Sequence, residues 1–226
     1  MLVAVTRPEI DGERTARALR TRGHDVLLAP LMRVEPVAAD LAGDWSAVAI
    51  TSANSLTALG DEVALLQHLP IFTVGRRSAE AAQGFTDVHS ADDDVRDLAK
   101  LIASKHGGGG VLYLAGEDRA ADLIAELTSR GIAAEMRIVY RAVTAPYPQT
   151  LTAALKASCI DAVLHFSKRS AENYLAGARA AGILERVLAP RQLCLSEQIA
   201  EPLRAAGAAR IAVAAQPNEP SLLNLL

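Results

Sequence analysis

The stretch "VGRRSAEAA" (74–82) joins a glycine, two arginines and a serine to a helix-forming run, directly after the apolar "LPIFTV". Related junctions recur along the chain: "TRPE" with Arg7, "TSANS" with Thr51, Ser52 and Ser55, "AGEDR" with Gly116 and Arg119, "FSKRS" with Ser167, Lys168 and Ser170, and "LSEQ" with Ser196. Serine, threonine and asparagine at a helix start are ordinary N-caps, because the side-chain oxygen accepts from a free backbone N–H. The cations need another reason. A helix N-terminus carries partial positive charge, so Arg or Lys there is unfavourable by about 0.3–1 kcal/mol. Hydroxyls, free N–H groups and cations gathered at such turns are donors suited to an anion. Gly75, Arg76 and Ser78 supply them in the first stretch, and Arg7, Arg119 and Lys168 add charge elsewhere.

Other chemistry is sparse. No Gly-x-Gly-x-x-Gly turn follows the first strand, no nucleophile elbow occurs, and the five histidines are scattered, which disfavours nicotinamide, hydrolase and zinc readings. "HGGGG" (106–110) continues into "VLYL" rather than into the lysine and Ser/Thr of a phosphate loop. His165 ends an apolar run and is expected to be structural, and Tyr113 alternates with apolar neighbours as a core residue does. Tyr140 lies in an extended connector, from which a side chain can reach a cleft. Cys159 and Cys194 fit reduced thiols rather than a disulfide framework.

These turns need elements to hold them. Short β-rich runs alternate with helical ones: "LVAVT" then "ERTARALRTRG", "WSAVAIT" then "ANSLTAL", "PIFTVG" then "RRSAEAAQG", and "GVLYLAG" then "RAADLIAELTSRG". That alternation predicts βαβ units, a parallel sheet and helices on both its faces. Helices ending in "RG", "QG" and "SRG" place glycine just past the helix, where a left-handed residue is favoured. The chain also matches itself. "SAVAITSANSL" (46–56) falls on "DAVLHFSKRSA" (161–171) at an offset of 115, with Ser52 over Ser167 and Ser55 over Ser170. "VHSADDDVRDLAKL" (88–101) falls on "VAAQPNEPSLLNLL" (213–226) at an offset of 125. Two similar α/β domains follow, and 226 residues suffice for both. "PLMRVEPV" (30–37) and "MRIVYRAVTAP" (136–146) lead into no helix and read as connectors. In open parallel sheets ligands bind beyond the carboxyl ends of the strands, so the turns are expected around one cleft.

Bulk properties narrow the partners. The net charge is −3, which argues against nucleic acid. No apolar run approaches the ~20 residues of a membrane span. "MLVAVTRPE" reads as a strand rather than a signal peptide, so a cytoplasmic protein is expected.

The order and spacing of "TRP", "ITSANS", "VG..SA", "LYLAG..R..L", "VYRAV", "FSKRSA" and "LSEQIAEPLRAAG" resemble the uroporphyrinogen-III synthase family over essentially the whole chain. The resemblance implies two doubly wound, flavodoxin-like α/β lobes joined by a two-stranded β-ladder hinge. Residues 1–30 with 144–226 would form one lobe and 38–136 the other, with 31–37 and 137–143 as the paired linkers. It further implies closure of hydroxymethylbilane, a linear tetrapyrrole, to a product with eight carboxylates. No metal or cofactor is called for, and a monomer is expected. Tyr140 in "VYRAV" corresponds to the family's tyrosine, as proton donor or as a packing residue. Arg7, Arg76, Arg119 and Lys168 would meet carboxylates, and Thr51, Ser52, Ser55, Gly75, Ser78, Gly116, Ser167, Ser170 and Ser196 would line the site. "LSEQIA" departs from the family by lacking a glycine and paired threonines. That departure keeps open a non-catalytic sensor of a polyanionic small molecule.

Overall fold

The computed structural model describes residues 1–92, 94–118 and 122–226. In chain order it runs β1 (Leu2–Val5), α1 (Glu9–Thr21), β2 (Asp25–Leu28), β3 (Met32–Pro36), β4 (Trp45–Ile50), α2 (Asn54–Leu59), a 3-10 segment (Gly60–Leu65), β5 (Pro70–Val74), α3 (Gly75–Ala81), β6 (Asp87–Ala91), α4 (Val95–Lys105), β7 (Gly110–Gly116) and α5 (Leu123–Thr128). It continues through β8 (Ala134–Thr144), α6 (Gln149–Lys156), β9 (Ala162–His165), α7 (Lys168–Ala180), α8 (Leu184–Leu188), β10 (Arg191–Cys194), α9 (Glu197–Ala205), β11 (Ile211–Val213) and α10 (Glu219–Leu223).

Two compact units result, one of Met1–Arg33 with Val143–Leu226 and the other of Val34–Ala142. The first holds a five-stranded sheet in the order β11-β10-β9-β1-β2, with every neighbouring pair parallel. In the second, β8-β7-β4-β5-β6 are parallel and β3 borders β8. The Val37 N–H donates to Val139 O at 2.8 Å and the Ala145 N–H to Leu31 O at 3.0 Å. Residue numbers therefore rise in one stretch as they fall in the other, which makes this an antiparallel ladder.

The two parallel sheets share a spatial plan but not a chain order. Numbered within its own unit, the first reads 2-1-3-4-5 and the second 3-2-1-4-5. β4, β5 and β6 thus correspond to β9, β10 and β11, while β7 and β8 correspond to the earlier β1 and β2. One βαβ series has in effect been cut at two different points. This accounts for the sequence repeat, which extends from β4 to α4 and from β9 to α10 and then stops.

Strands of such a sheet are covered on both faces, so they read as continuous apolar runs rather than alternating ones. In the first unit, Val3, Val5, Leu164 and Leu193 pack with Leu19 of α1 and Leu222 of α10. On the opposite face Ala4, Val163 and Cys194 meet α6, α7 and α9 through Leu151, Tyr174 and Leu203. In the second unit Val48, Ile50, Ile71 and Leu114 face α2 through Leu56 and Leu59. Ala49, Phe72, Tyr113 and Ala115 face α4 and α5 through Leu98, Ile102, Leu123 and Leu127. Each fully buried large apolar side chain contributes about 1.5–3 kcal/mol relative to exposure. The "RG" and "SRG" ends hold Gly23 and Gly131 at φ 81° and 72°. "QG" differs: α3 stops at Ala81, and Gly84 is not left-handed but lies where a Cβ would be 2.4 Å from Gln67 Nε2.

Candidate functional site

Neighbouring parallel strands whose following helices leave toward opposite faces open a crevice at their carboxyl ends. In the first unit that pair is β1 and β9, since α1 and α7 pack on different faces. The crevice is bounded by Thr6 and Arg7 after β1 and by Phe166 and Ser167 after β9. In the second unit the pair is β4 and β7, followed by Thr51 and Ser52 and by Glu117.

Most polar groups of the first crevice are engaged within their own unit. The Arg7 guanidinium lies 4.1 Å from the centre of the Phe166 ring. Its nitrogens stand 3.5 Å from Asp11 and 3.6 Å from Glu219, and it donates to Thr15 Oγ1 at 3.2 Å. Arg14 shares both carboxylates, at 3.6 and 3.0 Å, and the Thr15 hydroxyl bonds to Glu219. Only 16% of the Arg7 side chain is exposed. Ser170 is buried and donates to Thr6 O and Oγ1 at 3.3 and 3.2 Å, while Thr6 donates to Leu164 O at 2.9 Å. These bonds pin the start of α7 to the end of β1. Ser167 accepts from the Ser170 N–H at 3.1 Å and is therefore an ordinary N-cap. Lys168 pairs with Glu201 at 3.3 Å near the surface. Ser196 holds the N-cap position of α9 with no side-chain cap bond, and Ile199 of "LSEQIA" packs into the core.

The second crevice carries more half-exposed groups. Thr51 Oγ1 is 3.1 Å from the Tyr113 hydroxyl, so the buried Tyr113 reaches the strand end with its polar tip. Ser52 Oγ accepts from the Asn54 N–H at 3.3 Å and remains half-buried. Ser55 is buried and donates to Leu114 O at 2.9 Å, tying α2 to β7 as Ser170 ties α7 to β1. Gly75 starts α3 at φ 72°, Ser78 is buried, and Arg76 is 90% exposed with Glu80 at 3.0 Å. Gly116 ends β7 opposite Tyr140, which is half-buried, and the Glu117 N–H donates to Tyr140 O at 2.9 Å. Arg119 lies outside the described residues.

The structure thus gathers Arg7, Ser167 and Ser170 at one crevice and Thr51, Ser52, Ser55 and Gly116 at the other, with Tyr140 alongside Gly116. Lys168 and Ser196 stand at the starts of α7 and α9, and Gly75, Arg76 and Ser78 at the start of α3. Several contributors escaped the sequence reading. Glu80 follows Arg76 by four residues within α3, a spacing that brings side chains together on a helix, and Asp11 follows Arg7 at the same interval although Arg7 itself precedes the first residue of α1. Glu219, Glu201 and Phe166 carry no comparable local signal.

His165 is fully buried and its Nε2 lies 2.8 Å from Gln192 Oε1. Gln192 Nε2 donates to Val187 O and Pro190 O, so Oε1 must accept and the histidine proton sits on Nε2. Burial lowers the His165 pKa to about 4, against a smaller opposing effect of the Gln192 bond, leaving the ring neutral at pH 7. Burial pushes the Cys194 thiol up to about 12, which makes it unreactive. Among the described residues no three His, Cys, Asp or Glu side chains are grouped as metal ligands would be, and no helix is long and apolar enough to cross a membrane.

A family model described as Uroporphyrinogen-III synthase HemD matches residues 13–224. Among solved structures the chain is similar to uroporphyrinogen-III synthetase from Helicobacter pylori, at 16% identity and a TM-score of 0.66, covering 99% of this chain and 96% of that one. It is also similar to uroporphyrinogen III synthase from the extremely thermophilic bacterium Thermus thermophilus, at 20% identity and a TM-score of 0.47, covering 99% and 95%. No curated protein sequence matches the chain.

Proposed function

We propose a reaction for this chain from the fact that it belongs to the uroporphyrinogen-III synthase family, whose model spans residues 13–224. The protein closes hydroxymethylbilane to uroporphyrinogen III with loss of water. The hydroxymethyl C–O bond breaks, and the substituted carbon of the last pyrrole attacks the resulting electrophile to give a spiro intermediate. Fragmentation and reclosure then leave that ring inverted. The bilane also closes unaided to the uninverted isomer, so the protein has less need of a strong nucleophile than of a surface that holds the curled geometry.

Within this reading Tyr140 protonates the departing hydroxyl. Its support is position: a half-buried tyrosine beside the β4/β7 crevice, whose hydroxyl has no hydrogen-bond partner among the described residues. Thr51, Ser52 and the backbone at Gly75 and Gly116 offer donors to substrate carboxylates, with Arg76 and Lys168 as exposed charges and Ser167 and Ser196 at helix starts. Ser55, Ser78 and Ser170 are buried and act as scaffold. Arg7 reaches a carboxylate only in competition with Asp11 and Glu219.

The observation that carries the proposal is the family match over nearly the whole chain. Its test is to generate hydroxymethylbilane in place, add the protein, oxidise and separate the porphyrin isomers. Type III is expected to predominate. Type III no higher than in a protein-free control would overturn the reaction, and product binding under those conditions would assign the chain to polyanion binding without turnover.

A further inference from the structure

Tyr140 reaches its place through an irregularity of the sheet. In a regular strand successive side chains alternate between faces, so Ile138 and Tyr140 should share one and Val139 take the other. Instead Ile138 packs with the core beneath α4 and α5, whereas Val139 and Tyr140 both pack with the core beneath α2. The register shows why: Ala115 pairs with Ile138, but the next residue, Gly116, pairs with Tyr140. The extra residue on β8 is a bulge, and a bulge re-aims the side chain that follows it.

The ring then occupies space that a side chain at 116 would need. A Cβ on Gly116 would lie 2.5 Å from Tyr140 Cζ and 2.7 Å from both Cε2 and Oη. Gly116 is not among the positive-φ glycines, so what the site uses is its missing side chain rather than its backbone freedom. The Glu117 N–H bond to Tyr140 O, at 2.9 Å, holds the two backbones together at this point. A methyl at 116 cannot push the strand pair apart cheaply, and the ring tip is the part free to give way.

We propose that Gly116 is a positioning residue for Tyr140, acting with the bulge at Val139 to lay the tyrosine ring across the end of β7 beside the β4/β7 crevice. The catalytic consequence rests on the role given to Tyr140 above. The steric one does not.

Gly116→Ala tests both. With ring-carbon-labelled tyrosine, the Tyr140 resonance, assigned by its loss in Tyr140→Phe, should move while those of Tyr113, Tyr147 and Tyr174 stay. Turnover should fall to about the level of Tyr140→Phe, and the double variant should be no slower than Tyr140→Phe alone, because both changes remove one interaction. An unmoved Tyr140 resonance, or losses that multiply in the double variant, would overturn the proposal. Full turnover in Tyr140→Phe would instead remove the proton-donor role and leave the resonance shift to decide the steric one. If Gly116→Ala destabilises the fold, the same change in a Tyr140→Ala background should cost nothing further. An equal cost in both backgrounds would sink the idea.

Discussion

The two units differ most instructively at one matched pair of core positions. At the offset of 115 residues Val48 corresponds to Val163 and Ile50 to His165. Val48 lies beside Ile71, and Val163 beside Gln192. One unit therefore places two isoleucines where the other places a buried, hydrogen-bonded His165–Gln192 pair, and all four residues are fully buried. The polar pair is held by several contacts: His165 Nε2 donates to Gln192 Oε1, Gln192 also bonds Val187 O and Pro190 O, and the His165 and Tyr174 rings meet edge-on with their centres 5.2 Å apart. The buried His165 Nδ1 has no hydrogen-bond partner among the described residues. What differs is the response to acid.

The largest effect should come from this pair. Unfolded histidine titrates near 6.5, whereas folded His165 does so at about 4. Between those values the unfolded chain binds a proton that the folded chain does not, so this group's stabilisation is full above pH 6.5 and is lost as pH falls toward 4. The loss amounts to roughly 3 kcal/mol across the window. His165→Ile should flatten that part of the pH dependence in urea unfolding at pH 7 and pH 4.5. At neutral pH it should cost about 1–3 kcal/mol, because Gln192 Oε1 loses its donor. Hydrogen exchange in acid should open β9 and β10 before β4 and β5. Equal opening, or an unchanged pH slope in the variant, would erase the distinction between the units.

A smaller contrast separates the two arginines. Arg7→Ala removes a partly buried cation from Asp11 and Glu219 and should lower stability by about 1–3 kcal/mol. Arg76→Ala should leave stability within about 0.5 kcal/mol, since exposed pairs contribute little. If Arg76 meets ligand carboxylates, its removal should weaken product binding more at low salt than at high. Titration with uroporphyrinogen at two ionic strengths checks this, and identical affinities would leave Arg76 to the solvent.

The smallest effect sharpens the equivalence itself. Ser55→Ala and Ser170→Ala each remove a buried hydroxyl bonded to the neighbouring strand and should each cost about 1 kcal/mol. A loss in only one variant would show that the matched serines do different work.

The strand-to-helix turns were legible because capping is local: Ser167 and Ser52 bond N–H groups two or three residues away. The cations at those turns were legible too, but not their partners. The dipole mismatch at Arg7, Arg76 and Lys168 pointed to an external anion, and the structure supplies protein carboxylates to each. Two of these, Asp11 and Glu80, stand four residues after their arginines, and the second pair lies within one helix, so both could have been read. Glu219 is separated from Arg7 by most of the chain, and no pattern in one sequence links them. Tyr113 was legible as core, yet its hydroxyl reaches Thr51, because a strand position gives the facing of a side chain and not the reach of its tip.

Alternation of apolar runs with helical stretches, glycine at helix ends and an offset repeat determined on their own that this chain forms two α/β units, since each is a pattern of residue types along the chain and requires no knowledge of which distant segments touch. Which strand borders which, where the repeat is permuted, that Tyr140 turns onto the α2 face and that Gly116 makes room for it were decided only on folding. Those features depend on a one-residue slip between β7 and β8 and on contacts between distant segments, and neither leaves a periodic trace along the chain.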